Sequence, residues 1–250
     1  MMNKKLLDVK DVSKIFTRKK NDYGLKDVIL HTFHYFREMR RAKSFTALQN
    51  ISFQLNTGES IAILGANGAG KSTLLSLLAG IIKPSSGSIT TNGKIGLMLE
   101  LGSGFCHDLS GRENIYLNGL LLGAKKSYLD KEIDSIIDFS GVRDFIDEPL
   151  RNYSTGMQSR LGFAIAVHIK PDILLIDEVL AVGDSEFRRK CYERLQGLKN
   201  ADVGIILVTH SLHDALQFCD NAIYLEKGII RFQGKCSEVV DAIQQNNCEY

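Results

Sequence analysis

One glycine-rich octapeptide carries the clearest chemistry in this sequence, and it reads Gly65-Ala66-Asn67-Gly68-Ala69-Gly70-Lys71-Ser72. The pattern G-x-x-x-x-G-K-[ST] is typical of a loop whose backbone N–H groups curl around a phosphate, which glycines permit without steric clashes. In such a loop Lys71 reaches the β- and γ-phosphates, and the hydroxyl of Ser72 binds Mg²⁺. With about 7% glycine, four fixed positions match by chance in roughly one such chain in a hundred. Because this match also follows an apolar strand pattern and precedes a helical one, the sequence predicts a phosphate-binding loop at a helix N-terminus.

An acidic pair, Asp177-Glu178, follows a second apolar run at 173–176. The first carboxylate at such a strand end can hold Mg²⁺ through water, and the second can polarise an attacking water. Taken alone, most acidic pairs in this position only cap the end of a strand. Together with the phosphate-binding loop, the pair predicts a site that hydrolyses a nucleotide.

Three further motifs follow a characteristic order along the chain. A serine and a glycine begin a helical pattern in Tyr153-Ser154-Thr155-Gly156-Met157-Gln158-Ser159-Arg160-Leu161. Ala181-Val182-Gly183-Asp184 follows the acidic pair, and His210 follows an apolar run at 204–208. Each motif is modest by itself, since Thr209-His210 in isolation would more often cap a strand. In this order, and with the loop and the acidic pair, they resemble the signature motif (usually written LSGGQ), the D-loop and the switch histidine of ABC ATPases.

The resemblance to ABC ATPases implies that ATP is bound between two copies of the chain arranged head to tail. The phosphate-binding loop of one subunit would hold ATP and Mg²⁺, and Ser154 and Gly156 of the other subunit would close over the γ-phosphate. Phe16 stands where the family keeps an aromatic residue that stacks on adenine; a strand core residue is the alternative. The residues expected to bind ATP are Phe16, Gly65, Ala66, Asn67, Gly68, Ala69, Gly70, Lys71, Ser72, Thr73, Ser154, Gly156, Met157 and Asp184.

The same resemblance implies three roles near the γ-phosphate. Glu178 would be the general base, His210 would sense the γ-phosphate and Lys71 would complete the catalytic set. Asp184 would link the two sites of the dimer.

Several positions depart from the general ABC pattern and point to one subfamily. Tyr153 replaces the family's leucine, Thr155 a glycine and Met157 a glutamine. The Q-loop glutamine is missing too, and Glu100, or a residue one position away, stands in for it as a metal ligand beside Ser72 and Asp177. The stretches LELGSGF, LSGRENIYLNG, YSTGMQSRLGFAIA and LLIDEVLAVGD, with an insertion before residue 48, resemble the ATPase subunits that export O-antigen, capsule-like glycans and teichoic acids.

This closer resemblance implies an ATP-hydrolysing subunit that drives export of a lipid-linked, O-antigen-like polysaccharide across the cytoplasmic membrane. Its expected partners are a second copy of the chain, an integral membrane permease in two copies and the lipid-linked glycan, but no nucleic acid. Its expected place is the cytoplasmic face of the inner membrane, as a peripheral protein. The alternatives are a motor for teichoic acid, drugs or peptides, a soluble ABC ATPase, and an ATP-sensing cassette without turnover. Intact Lys71 and Glu178 argue against the last of these.

The elements that must position these residues follow an α/β pattern, because apolar runs alternate with helical stretches. All-apolar runs predict strands buried on both faces of a mainly parallel sheet, at 61–64, 173–176 and 204–208. Residues 74–82 predict the helix after the phosphate-binding loop, and residues 9–16 and 48–55 predict an antiparallel layer. Between 111 and 169 the pattern becomes helical.

With the family resemblance, these patterns predict a P-loop NTPase with the ABC ATPase fold, comprising an antiparallel β subdomain and a helical subdomain. We expect a single ATPase domain over residues 1–250, with a helical insert at about 101–168 and an N-terminal insertion at about 17–45.

The composition is that of a globular chain. Of 250 residues, 44% are hydrophobic and 24% are charged, with 22 glycines and 3 prolines, which excludes disorder, collagen and small disulfide-stapled scaffolds. No charge-free run reaches the ~18 residues of a membrane span, and no apolar region follows the basic start, so we expect no spanning segment and no signal peptide. Five scattered cysteines without a CxxC pair predict a reduced, cytosolic chain.

The net charge of +2 conceals a basic N-terminal part, since residues 1–43 have a net charge of +7 and the remainder −5. Such an excess suits an anionic partner, or is an ordinary solvated strand edge. Within the insertion, Leu25, Ile29, Phe33 and Phe36 share one face of a predicted helix with basic residues around it. This helix can lie at the membrane boundary or pack on the ATPase body, and the sequence leaves both open.

Overall fold

The computed structural model describes residues 4–17, 44–98, 104–177 and 185–246, and within them the chain forms nine strands and seven α-helices. The strands are β1 (Lys5–Thr17), β2 (Ser44–Asn56), β3 (Ser60–Leu64), β4 (Ser86–Thr91), β5 (Ile95–Met98), β6 (Ile173–Asp177), β7 (Gly204–Val208), β8 (Asn221–Glu226) and β9 (Ile229–Lys235). The helices are α1 (Lys71–Leu78), α2 (Gly111–Leu121), α3 (Lys126–Ser140), α4 (Thr155–His168), α5 (Ser185–Asn200), α6 (Leu212–Phe218) and α7 (Cys236–Gln245). Short 3₁₀ helices lie at Arg143–Phe145 and Leu150–Asn152.

A six-stranded sheet in the order β5-β6-β7-β3-β8-β9 forms the centre of the molecule. Strands β5, β6, β7, β3 and β8 are parallel, and β9 pairs antiparallel with β8. The apolar runs of β3 and β7 are buried at every residue, as strands covered on both faces require. Because parallel strands end at the same edge, the residues that follow β3, β6 and β7 gather there.

A second, three-stranded sheet in the order β2-β1-β4 is antiparallel and confirms the expected antiparallel layer. Buried and exposed residues alternate in β2 from Ile51 to Leu55, as expected when one face packs on the core, whereas β1 begins with four consecutive buried residues, Leu6 to Val9. The register of β1 and β2 pairs Phe16 with Phe45, next to the end of the hairpin at which residues 18–43 connect the two strands. These two aromatic residues are therefore neighbours although the insertion separates them in sequence.

Helices α2, α3 and α4 pack around one apolar cluster that includes Ile115, Ile136 and Leu161. At Gly119 a Cβ atom would lie 2.6 Å from Leu129 Cδ2, so α2 approaches α3 closely only because the side chain is missing. Helix α4 also contributes Phe163 to the cluster that covers the six-stranded sheet. The helical layer therefore shares α4 with the core of the sheet.

The predicted elements are recovered, with differences at their ends. The three buried strands agree with the predicted runs to within one residue. The helix predicted over residues 74–82 was misplaced, because α1 spans Lys71–Leu78 and Gly80 has a left-handed φ of 72° just beyond its end. Thr17, Ser44 and Phe45, assigned to the insertion, belong to β1 and β2 instead, and residues 18–43 lie outside the described residues.

Two expectations from composition concern the described part of the chain. No helix there is long and apolar enough to cross a membrane. Its four cysteines, Cys106, Cys191, Cys219 and Cys236, form no disulfide. The single domain over residues 1–250, with its helical insert at about 101–168, stays a prediction.

Candidate nucleotide-binding site

The octapeptide forms a tight loop between β3 and α1, and two of its glycines are required by close contacts. Gly65 has a φ of 148°, and a Cβ atom there would lie 2.3 Å from the carbonyl oxygen of Leu225. Gly70 has a φ of 108°, and its Cβ would lie 2.8 Å from Leu48 Cδ2. Both the backbone conformation and the space therefore exclude a side chain at these positions. The loop is fixed by its neighbours as well as by its own sequence.

The turn between β8 and β9 joins the loop to the antiparallel sheet. Gly228 N donates to Ala69 O at 3.0 Å, and Gln49 N donates to Gly228 O at 2.8 Å. A Cβ atom on Gly228 would lie 2.5 Å from Ala47 O, so this turn fits closely between β2 and the loop. The contact explains how the start of β2 comes to lie beside the phosphate-binding loop.

Lys71 begins α1 and folds back over the loop. Its Nζ donates to Gly65 O at 2.5 Å and to Ala66 O at 3.0 Å. The N-terminus of α1 has no side-chain cap and no acidic residue in its first turn, among the residues that the structure describes. Uncapped N–H groups, the helix dipole and an ammonium group favour an anion at this place.

A cavity of about 470 Å³ opens over the loop. It is lined by Phe45, Ala47, Asn67, Gly68, Gly70, Lys71, Ser72, Thr73 and Asp177. The structure thus brings most of the predicted loop residues together with Asp177, the last residue of β6. A hydroxyl and a carboxylate are ligands that suit Mg²⁺, which usually takes one or two carboxylates and leaves further positions to water and phosphate.

The strand register explains why Asp177 and the residues after β7 reach this edge. Asp177 pairs with Val208, and Val208 pairs with Ile63 on β3. Thr209 N then donates to Ile63 O at 3.3 Å, and the next residue is His210, which is exposed. His210 stands at the same sheet edge as the loop but is not among the residues that line the cavity.

The aromatic residue that lines the cavity is Phe45, which the sequence analysis missed. Its side chain is 64% exposed, which is unusual for so large an apolar group. Phe16, the predicted stacking residue, lies across from it but is not among the cavity-lining residues, and Lys14 Nζ is 5.1 Å from the centroid of its ring. With 43% of its surface exposed, Phe16 is not a core residue, so that alternative is wrong. The β1–β2 register is the signal that relates the two aromatics, and the sequence does not show it.

The signature-like segment lies at the start of α4. Ser154 has an extended backbone, and its Oγ accepts a hydrogen bond from Met157 N at 3.2 Å, which makes it the N-cap of the helix. At Gly156 a Cβ atom would meet nothing nearer than Ser154 Oγ at 3.9 Å. Packing against the described part of the chain therefore does not explain this glycine. Ser154, Gly156 and Met157 are not among the residues that line the cavity over the loop.

Three predicted site residues lie outside the described residues. They are Glu100, Glu178 and Asp184. The chain leads directly from Asp177 to Glu178, and α5 begins at Ser185, directly after Asp184.

Comparison with known proteins finds one matching family and relatives that are export ATP-binding proteins. The profile of the ABC transporter family matches residues 48–181. The chain is 43% identical over 222 residues to the O-antigen export system ATP-binding protein RfbB of Klebsiella pneumoniae, covering 89% of this chain and 90% of the relative. It is 42% identical over 205 residues to the teichoic acids export ATP-binding protein TagH of Listeria innocua, covering 82% of this chain and 61% of the relative.

Solved structures show the same fold at lower identity. The ATP-binding subunit of an ABC transporter superposes with a TM-score of 0.77 at 22% identity, covering 97% of this chain and 93% of that chain. A dimeric ATP-binding cassette in a post-hydrolysis state, bound to ADP and Pi, superposes with a TM-score of 0.72 at 21% identity, covering 92% and 99%.

Proposed function

Because the chain belongs to the ABC transporter family and has the fold of its ATPases, we propose that it is the ATP-hydrolysing subunit of an exporter for a lipid-linked cell-surface polysaccharide. The observation that carries the cargo assignment is the 43% identity to an O-antigen export ATPase over 90% of that protein's length. The observation that carries the chemistry is the cavity that joins Lys71, Ser72 and Asp177.

In this proposal the phosphate-binding loop holds the triphosphate of ATP. The N–H groups at the start of α1 and the ammonium group of Lys71 neutralise its charge. Ser72 and Asp177 would hold Mg²⁺, which would neutralise further phosphate charge. Glu178 would accept a proton from the attacking water, and His210 would donate a hydrogen bond to the γ-phosphate.

We infer a head-to-tail homodimer in which Ser154 and Gly156 of one subunit face the nucleotide held by the loop of the other. The open surroundings of Gly156 support this arrangement, because no contact with the described residues explains the missing side chain. The N-terminus of α4 would then add its helix dipole to the γ-phosphate. Asp184 would lie between the two sites, and Glu100 would contact the metal region. The whole ATPase would be a single domain.

The membrane partner follows from the same assignment. We propose that two copies of an integral permease bind the dimer at the cytoplasmic face of the membrane and carry the lipid-linked glycan. Teichoic acid is the second candidate cargo, favoured by the 42% identity to a teichoic acid export ATPase. The two cargoes differ in chemistry, since the first is a chain of sugars and the second contains polyol phosphates.

The decisive experiment is Glu178→Gln in the native cell, with the surface-exposed Glu193→Gln on α5 as the control. Glu178→Gln keeps the shape of the side chain and removes the base, so ATP turnover should fall by about 100-fold or more while ATP still binds. We expect lipid-linked glycan to collect inside the cell and to disappear from the surface. Analysis of that pool for sugars or polyol phosphates then identifies the cargo.

Two results would count against the proposal. Unchanged ATP turnover in Glu178→Gln would show that Glu178 is not the general base. Normal surface glycan together with lost turnover would leave an ABC motor with a different cargo.

A further inference from the structure

The residue directly before the Ser154 cap makes a hydrogen bond that the general family pattern cannot make. Tyr153 is 6% exposed, and its hydroxyl donates to Phe145 O at 2.7 Å. The same carbonyl oxygen also accepts from Glu148 N at 2.9 Å. Tyr153 occupies the position at which the general ABC pattern has leucine, and leucine has no hydroxyl. The bond is therefore a feature of this sequence.

Gly111, the first residue of α2, makes room for this hydroxyl. A Cβ atom at Gly111 would lie 2.2 Å from Tyr153 Oη and 3.0 Å from Ile146 Cδ1. Gly111 does not have a positive φ, so its backbone conformation does not require glycine. The Tyr153 hydroxyl is the nearest obstacle to a side chain there, and the main-chain oxygen of Ile146 lies 3.0 Å from the Cβ position. The two residues are therefore matched to one another, Gly111 at the start of α2 and Tyr153 just before the cap of α4.

The segment between α3 and α4, residues 141–153, is held on both sides; we call it the connector. Four main-chain hydrogen bonds join it to the start of α2 and the preceding loop. They run from Gly111 N to Glu148 O (3.2 Å), Arg112 N to Ile146 O (2.9 Å), Leu150 N to Leu109 O (2.9 Å) and Arg151 N to His107 O (3.0 Å). On the side of α4, Gln158 Nε2 donates to Leu150 O at 3.2 Å and to Tyr153 O at 3.4 Å. Tyr153 is the last residue of this segment before the cap.

The phenol is protonated wherever the protein functions. Burial raises the pKa of Tyr153 to about 12, and the nearby carboxylates of Asp147 and Glu148 act in the same direction. The hydroxyl therefore donates its hydrogen bond at every physiological pH.

We propose that Tyr153 is a positioning residue for ATP hydrolysis: its hydroxyl, seated against Gly111 and bonded to Phe145 O, fixes the Ser154 cap of α4 relative to α2. The orientation of Ser154 and Gly156 toward the nucleotide of the opposite subunit then depends on this bond. The inference rests on the proposed function, because it concerns the surface that closes the dimer. Tyr153 does not line the cavity over the phosphate-binding loop, so its loss should leave the binding of ATP to that loop intact.

The test compares Tyr153→Phe with Tyr128→Phe, a matched control at the other end of α4. The Tyr128 hydroxyl on α3 donates to His168 O at 2.5 Å, and His168 is the last residue of α4. Each variant loses one phenol–carbonyl hydrogen bond to the helical layer, so each should lower Tm by about 2–4 °C. The tagged full-length chain is purified from its native membranes with the subunits it retains.

Three quantities are measured for each variant: Tm, the Kd for ATP in EDTA, and kcat with Mg-ATP. We expect Kd to stay within about twofold of the wild type in both variants. We expect kcat to fall about three- to tenfold in Tyr153→Phe only. This is the effect expected when one ordinary hydrogen bond that orients the Ser154 cap is lost. Equal losses of kcat in the two variants would overturn the inference, because the effect would then follow from lost stability alone.

A double-mutant cycle keeps the inference testable if Tyr153→Phe folds poorly. Gly111→Ala places a methyl group against the hydroxyl, so it should lower Tm and kcat. In Gly111→Ala/Tyr153→Phe the hydroxyl is gone, although Ile146 remains close. The combined decrease of Tm and of log kcat should therefore be smaller than the sum of the decreases in the two single variants. Additive losses would overturn the inference. A wild-type chain that neither binds nor hydrolyses ATP would instead overturn the proposed function, and the inference with it.

Discussion

At the scale of single residues, the glycines of the phosphate-binding loop serve different purposes. A Cβ atom at Gly65 or Gly70 would collide with the main chain or with Leu48, whereas a Cβ at Gly68 would meet no atom of residues 4–17, 44–98, 104–177 or 185–246 within 4 Å. Gly68 has a φ of 82°, so its backbone conformation alone favours glycine. The first and last of these glycines fit the loop to its neighbours, and Gly68 faces the space where a phosphate would bind.

The two aromatics of the β1–β2 hairpin give a prediction at the same scale. Phe45→Ala should raise the Kd for ATP about tenfold, the size of one base–aromatic stack, because Phe45 lines the cavity. Phe16→Ala should have a smaller effect, since Phe16 does not line it. Equilibrium binding of ATP to the purified chain measures both.

Inorganic tripolyphosphate is the control ligand for this pair, because it has phosphates but no base. Phe45→Ala should leave its binding unchanged. A variant that weakens ATP and tripolyphosphate equally has lost the shape of the loop rather than a stack. A larger effect of Phe16→Ala than of Phe45→Ala would favour the residue predicted from the family pattern.

The phosphate-binding loop could be located from sequence alone, because its chemistry lies in consecutive residues. Asp177 could be placed beside it only through the rule that parallel strands end at one edge, which the register of β6, β7 and β3 then realises. Phe45 could not be found, because its position depends on pairing with Phe16 across the insertion. The pairing of Tyr153 with Gly111 was equally inaccessible, since it depends on how α2 packs against the connector.

At the scale of elements, Asp220 joins two strands of the six-stranded sheet to a helix. Its Oδ2 accepts from Ser60 N at 3.0 Å and from Ser60 Oγ at 2.9 Å, which ties the start of β8 to the start of β3. Its Oδ1 accepts from Lys199 Nζ at 2.6 Å, near the end of α5. Burial by itself raises the pKa of Asp220, but the hydrogen bonds from Lys199 and Ser60 outweigh it and leave the pKa below its ordinary value.

Asp220→Asn should therefore lower the free energy of unfolding by about 1–2 kcal/mol at pH 7. The expected decrease in the free energy of unfolding is small because 47% of the Asp220 side chain is exposed, so water screens its attraction to Lys199. A carboxylate with a lowered pKa in the folded state stabilises above its unfolded pKa and loses that contribution as the pH falls through the folded value. The difference between wild type and variant should thus shrink below about pH 4.

Urea unfolding at several pH values measures this difference. Asp241→Asn on α7 is the control, because Asp241 is also an aspartate but is exposed. It should change the stability by less than about 0.5 kcal/mol at every pH. A loss in Asp220→Asn that is the same at pH 3 and pH 7 would show that charge is not what stabilises this junction.

At the scale of the whole molecule, α4 holds the helical layer and the sheet together. Its last residue, His168, is 5% exposed, and its ring lies 5.4 Å from that of Phe139, which packs against both the helical cluster and the sheet cluster. His168 Nδ1 is 2.7 Å from Ala164 O, and since a carbonyl can only accept, Nδ1 carries the proton. Burial lowers the pKa of His168 and Arg194 acts in the same direction, while the bond to Ala164 O and the charge of Glu132 oppose them.

The stability of the whole chain should therefore fall as the pH drops below about 6.5, the ordinary value of histidine. A histidine with a lowered folded pKa binds its proton more readily when unfolded, so stability rises with pH in this window, by at most about 1.4 kcal/mol per pH unit for one proton. His168→Asn keeps an amide nitrogen near the place of Nδ1 and cannot titrate. The variant should be less stable than the wild type at pH 7, but its stability should decrease less than that of the wild type between pH 7 and pH 5. His213→Asn, at an exposed position on α6, should keep the slope of the wild type.

Because α4 belongs to both clusters, calorimetry should show a single transition whose Tm follows this pH dependence. Two transitions, only one of them sensitive to His168, would mean that the helical layer unfolds separately and that the single-domain prediction is wrong.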